Sequence, residues 1–170
     1  MVKKQNRRNP IVALLFLAYA GLMLYLLFIR NRVGTPDLPY WQQVQNNYNL
    51  DPLHTVRNYW DVLTRPEYYL EKWEAYAVYL FQAKTAAINI LGNIGMFVPL
   101  GIFLPALWQK LQKVWKTLLT ALICIVAVEI IQLFSLLGRC DIDDLLLNMA
   151  GVAIGYALWR LCRWILRKRK

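Results

Sequence analysis

Four long apolar runs decide what this chain can fold into: residues 11–29, 86–107, 117–137 and 145–166. Each comes near the ~20 residues that an α-helix needs to cross a hydrocarbon core about 30 Å thick. In that solvent every backbone N–H and C=O must be satisfied within the segment, which favours the helix. The pattern predicts an all-α integral membrane protein with four transmembrane helices. A soluble four-helix bundle would show polar outer faces, and residues 11–29 carry almost none. With 58% hydrophobic residues the whole chain fits the membrane class. Ala18-Tyr19-Ala20 looks like a signal-peptide cleavage site, but the apolar sequence continues from 21 to 29. The first run therefore reads as an uncleaved anchor.

Charge then divides the chain. Basic residues flank the runs: Lys3, Lys4, Arg7 and Arg8 before the first, Lys110, Lys113 and Lys116 between the second and third, and Arg160, Arg163, Arg167, Lys168, Arg169 and Lys170 at the end. The connection over 30–84 is balanced, with six basic and six acidic residues. The positive-inside rule predicts a multi-pass protein of the cell membrane with both termini in the cytoplasm. The organisation expected is a basic tail over 1–10, helix one over 11–29, an extracytoplasmic segment over 30–84, helices two to four within 85–166, and a basic tail over 167–170. Nucleic acid is not an expected partner, because these charges flank spans and form no single basic face.

The connection over 30–84 is punctuated by Gly34, Pro36, Pro39, Pro52 and Pro66 and is rich in tyrosine and tryptophan. Such side chains prefer the headgroup level. Pro66-Glu67 suits a helix start, and Tyr69, Trp73, Tyr76 and Leu80 share a helical face. The segment 66–82 is expected to form a helix lying at the outer interface. An aromatic platform for a sugar or peptide is the functional alternative.

The polar residues inside the spans carry the functional signal. In the stretch GRCDIDDLLLNMAGVAIG (138–155), Asp144, Asn148, Gly151 and Gly155 fall on one helical stripe. Asp141 lies close to that stripe, and Asp143 points away from it. The two glycines form a GxxxG pattern that suits close helix packing better than chemistry. Span two carries Asn89 and Asn93 on one face, and span three carries Glu129 and Gln132. Glu129 sits roughly 12 Å below the end of its span, where a charged carboxylate costs about 2.5 kcal/mol or more. It must be protonated, paired or reached by water. Asn89 and Asn93 in isolation read as interhelical hydrogen-bonding groups.

All these side chains fall in the outer half of the membrane, whereas the inner halves lack acids and amides until Gln109. Interhelical contacts placed at random would spread over depth. The set predicts a polar pocket open to the outside, with Asn89, Asn93, Glu129, Gln132, Arg139, Asp141, Asp144 and Asn148 as its candidate residues. Arg139, the one basic residue beside three acids, is expected to pair with Asp141 or Asp144.

The chain resembles the VanZ family of teicoplanin-resistance-associated membrane proteins. The match rests on NLDP (49–52), NILGNIGMFVPLG (89–101), EIIQ (129–132) and GRCDIDDLLLNMAG (138–151). Leu53 stands where the family often has Phe, and Ile125 where a small polar residue is frequent. The resemblance implies a link, for some members, to reduced sensitivity to lipoglycopeptides such as teicoplanin. It names a family more firmly than a reaction.

Three functional readings follow. One is a pocket that binds an amphiphilic or cationic ligand of the cell envelope, such as a lipoglycopeptide or a cell-wall lipid precursor, with membrane lipid as the standing partner. The second is a membrane enzyme in which Asp141, Asp143 and Asp144 hold a divalent metal against a lipid phosphate, with Glu129 as base. The three aspartates supply few fixed ligands, and no nucleophile or oxyanion donor stands out. The third is a scaffold without a ligand. No cofactor is expected, no cysteine–histidine spacing suggests zinc, and the single histidine, His54, reads as a surface residue.

Overall fold

The computed structural model describes residues 9–29, 37–73 and 76–168 of the chain. The N-terminal basic residues Lys3, Lys4, Arg7 and Arg8, the C-terminal Arg169 and Lys170, and the loop residues Gly34 and Pro36 lie outside the described residues, as does the Trp73 side chain. The fold is all-α, with four helices long and apolar enough to cross a membrane: α1 (Pro10–Phe28), α5 (Tyr76–Leu107), α6 (Val114–Ser135) and α7 (Ile142–Lys168). Three shorter helices, α2 (Tyr40–Asn46), α3 (His54–Thr64) and α4 (Pro66–Trp73), lie in the long connection. A 3-10 turn at Gln109–Leu111 separates α5 from α6.

Local chemistry sets several boundaries. Asn9 caps α1 by accepting from the Ile11 N–H at 3.0 Å, and Pro10 follows in the first turn, where its missing N–H costs nothing. Leu136 leaves α6 in the left-handed conformation, with φ 56°. Pro99 and Pro105 lie inside α5, where each removes a hydrogen bond to the preceding turn. The Tyr19 hydroxyl of α1 donates to the Met96 carbonyl at 2.8 Å, so helix one supplies a polar partner beside the Pro99 break.

Helix α7 is central and packs against α5 and α6, while α1 lies on α5. Only Met23 of α1 is buried, and Leu14, Leu17, Leu22 and Leu24 are exposed, as expected of a wall facing lipid. Glycines set the approach of α5 and α7. A Cβ on Gly151 would overlap the Ile94 carbonyl oxygen, one on Gly155 the Val98 oxygen, and one on Gly101 the Val152 oxygen. The GxxxG stripe is therefore a packing surface. Beneath it Phe97, Leu104, Ala121, Ile125 and Val152 form the buried apolar core.

The connection departs from expectation in two ways. Of the segment 66–82, residues 66–73 form α4 and residues 76–82 belong to the long helix α5, which starts ten residues before the apolar run; residues 74 and 75 lie outside the described residues. Hydropathy marks where a helix can meet hydrocarbon, not where its backbone hydrogen bonds begin. The second departure is β1 (Tyr48–Asn49), which pairs in parallel with β2 (Cys140–Asp141) just before α7. The Cys140 N–H donates to the Asn47 carbonyl at 3.0 Å, and the buried Asn47 amide donates to the Gly138 carbonyl. This short ladder fastens the connection across the ends of α6 and α7.

Candidate functional site

The sequence DIDD at 141–144 spans the β2–α7 junction, and the structure sends its three carboxylates in three directions. Asp141 caps α7: its Oδ1 accepts from the Asp143 N–H at 2.9 Å. Its carboxylate also accepts from the Thr55 hydroxyl at 3.0 Å and from the Asn49 amide at 3.3 Å.

Asp143 is fully buried and faces α3. Its Oδ1 accepts from the Leu53 N–H and its Oδ2 from the Val56 N–H at 3.1 Å. Leu53 is the N-cap of α3, has φ 64°, and has no side chain able to cap. One carboxylate from α7 thus satisfies the N-cap and N3 donors that a capping box serves within a helix. Its negative charge also lies at the positive end of the α3 dipole.

Asp144 turns into the bundle, where its Oδ1 accepts from the Asn93 amide of α5. Beside it a cavity of about 610 Å³ opens between α1, α5, α6 and α7. Seven of the eight polar residues expected around a pocket line it: Asn89, Asn93, Glu129, Gln132, Arg139, Asp144 and Asn148. The eighth, Asp141, does not. Its oxygens are engaged by Asn49, Thr55 and the α7 N-terminus, so it belongs to the junction. Leu26, Leu27, Ile88 and Met96 make an apolar side of the same cavity.

The polar wall is partly satisfied by the protein. Glu129 is buried, and its Oε2 accepts from the Asp141 N–H at 3.3 Å. Gln132 donates to the Leu27 carbonyl of α1 at 2.9 Å, tying α6 to the end of α1. Asn89 donates to the Tyr59 hydroxyl of α3 at 2.8 Å. Both asparagines of α5 therefore make interhelical hydrogen bonds as well as lining the cavity. Asn148 differs: it is 4% exposed, and its Oδ1 has no hydrogen-bond partner among the described residues. Buried carbonyl oxygens are rarely left so.

Arg139 does not form the ion pair expected of it. Its side chain is exposed at the cavity rim, and the one ion pair among the described residues joins Arg65 to Asp61. Asp141 and Asp144 already receive uncharged donors, and a rim pair would contribute little in water. Arg139→Gln is accordingly expected to move unfolding stability by less than about 0.5 kcal/mol. A thermal melt of the detergent-solubilised protein checks this; a drop of many degrees would reveal a structural pairing.

The metal-enzyme arrangement is not assembled. The three aspartates diverge, and no group of three His, Cys, Asp or Glu among the described residues is placed to share an ion. Cys140 is no activated nucleophile either. Burial pushes its thiol above the usual range, and the neighbouring Glu129 and Asp141 carboxyls push in the same direction. His54 is exposed at the start of α3 and contacts Asn58.

Sequence reasoning missed Asn47, Thr55 and Tyr59. NLDP and DIDD were both visible as motifs, but no periodic signal says that residues ninety positions apart pair. Comparisons with curated proteins and with solved structures found no match. The model of the VanZ/LLP1 family matches residues 16–163, which include the cavity wall, the β1–β2 junction and most of all four long helices. This chain belongs to the VanZ/LLP1 family.

Proposed function

We propose that the cavity binds an amphiphilic ligand of the cell envelope, with its cationic or hydrogen-bond-donating group toward Glu129, Asp144 and Asn148. The observation that carries this reading is Asn148, a residue of the cavity wall whose buried Oδ1 has no donor among the described residues. The apolar side formed by Leu26, Leu27, Ile88 and Met96 suits an acyl or prenyl chain. The basic flanks of the spans put this end of the bundle outside the cell, where lipoglycopeptides and lipid-linked wall precursors are found. Lowered sensitivity to teicoplanin-type compounds is one physiological outcome of such binding.

Glu129→Gln tests the reading. Gln keeps the shape and one acceptor oxygen but removes the carboxylate, so a structural Glu129 should tolerate it. A ligand-binding Glu129 should not. Thermal unfolding of the purified protein is measured with teicoplanin and with a polyprenyl phosphate. The wild-type chain is expected to gain stability with rising ligand, as binding to the native state alone requires. Glu129→Gln should accumulate normally in the membrane and lose that gain. Equal stabilisation of both proteins would refute a charge-dependent pocket, and no stabilisation of the wild type would leave the scaffold reading ahead.

A further inference from the structure

The far end of α7 holds a second cleft of about 300 Å³, lined by Gln112, Trp159, Arg160, Arg163, Trp164 and Arg167. It lies roughly 28 Å from Asp144 along the helix, at 1.5 Å per residue. The site just described therefore includes none of these residues.

The cleft is assembled, not merely basic. Arg163 donates from Nη1 to the Gln112 Oε1 at 2.6 Å, and its guanidinium lies 5.0 Å from the centre of the Trp159 ring. Gln112 is itself held, because its carbonyl accepts from the Tyr156 hydroxyl at 2.9 Å. The fixed guanidinium thus joins the α5–α6 connection to α7. Arg160 and Arg167 stand one turn to either side on the same helical face.

These cations have no carboxylate to answer them. No Asp or Glu follows Asp144 in the chain, and none of the three arginines is in an ion pair among the described residues. Trp159 and Trp164 are amphipathic rings of the kind that settle at headgroup level. Lys168 lies over the Trp164 ring at 4.0 Å and adds a further positive charge. A planar guanidinium with free N–H groups matches the oxygens of a phosphate ester.

We propose that this cleft is a binding site for the phosphate headgroup of an anionic phospholipid in the leaflet at the basic end of the bundle. Arg163 provides the fixed donor, Arg160 and Arg167 flank the phosphate, and the acyl chains run along the lipid-facing side of α7. Leu158, Leu161 and Ile165 are exposed there.

The test is native mass spectrometry of the full chain in detergent with equimolar phosphatidylglycerol and phosphatidylcholine. The wild type should retain phosphatidylglycerol preferentially. Arg160→Gln/Arg167→Gln changes only exposed side chains, so it should fold, and each lost arginine should cost about fivefold in the preference. Arg163→Lys keeps the charge but loses the planar fork and should weaken retention as well. A wild type without headgroup preference, or a double variant that keeps the full preference, would overturn the proposal. Displacement of the lipid by millimolar inorganic phosphate would overturn the lipid assignment in favour of a free-anion site.

Discussion

Gly155→Leu should stop the folded protein from accumulating in the membrane. A Cβ at this position overlaps the Val98 carbonyl oxygen and comes within 3.1 Å of the Gly101 Cα. Both obstacles are backbone, so no flexible side chain can give way. Relief requires α5 and α7 to separate along the interface that also holds Asn93 against Asp144. Overpacking of a side-chain core costs about 1–3 kcal/mol. A backbone collision with a whole leucine should exceed ~3 kcal/mol, a large part of the 5–15 kcal/mol that ordinary domains possess. Gly155→Ala should fall between this variant and the wild type. Gly95→Ala is the control: it lies on α5 with nothing within 4 Å of an added Cβ. Alanine there should be neutral or slightly stabilising, because it forms helix better than glycine. Gel-filtration profiles and thermal melts of the detergent-solubilised variants check the ranking. A Gly155→Leu protein that melts like the wild type would mean that the two helices do not meet at their backbones.

The same stripe shows how far the sequence could be read. Helical spacing alone put Asp144, Asn148, Gly151 and Gly155 on one face, and in the structure the first two line the cavity while the glycines meet α5. Depth in the spans brought together Asn93, Glu129 and Gln132 because each helix crosses the same slab of lipid at a similar rise. Those inferences use only the periodicity of one element and the thickness of its solvent. The role of the connection used neither. The N-terminus of helix α3 has a partner in Asp143, and β1 has a partner in β2, but both contacts join regions some ninety residues apart. Its aromatic residues had an adequate explanation at the membrane interface, which hid that Tyr59 receives the Asn89 amide. The lesson for Asp141 and Asp143 is similar. Adjacent acids suggest a shared ligand, but a helix N-terminus is already a place where carboxylates are stabilised, and this chain has two of them at one junction.

Asp143→Ala is the second large effect expected, and its comparison with Asp143→Asn separates the capping role from any other. The wild-type carboxylate is fully buried and accepts from the Leu53 and Val56 N–H groups. Alanine removes both acceptors at once and leaves two part-buried donors without them. An unsatisfied buried donor costs about 1–3 kcal/mol and one that water can reach costs less, so the variant should lose roughly 2–4 kcal/mol. Asparagine keeps one acceptor oxygen but turns an NH₂ toward the other donor, and it forfeits the attraction of a negative charge to the α3 N-terminus. It should therefore be damaged too, though less than alanine. Asp141→Asn retains an oxygen to cap α7 and should cost less than Asp143→Ala. The effect of Asp143→Ala should also be local in its first stage. Residues 47–64 are held to α7 through this junction, whereas α5 and α7 meet through their glycines. Hydrogen exchange of the purified protein should show lost protection at residues 53–58 before any change in α7. Full protection of Val56 in Asp143→Ala would sink the capping role and return Asp143 to the pool of candidate ligand groups.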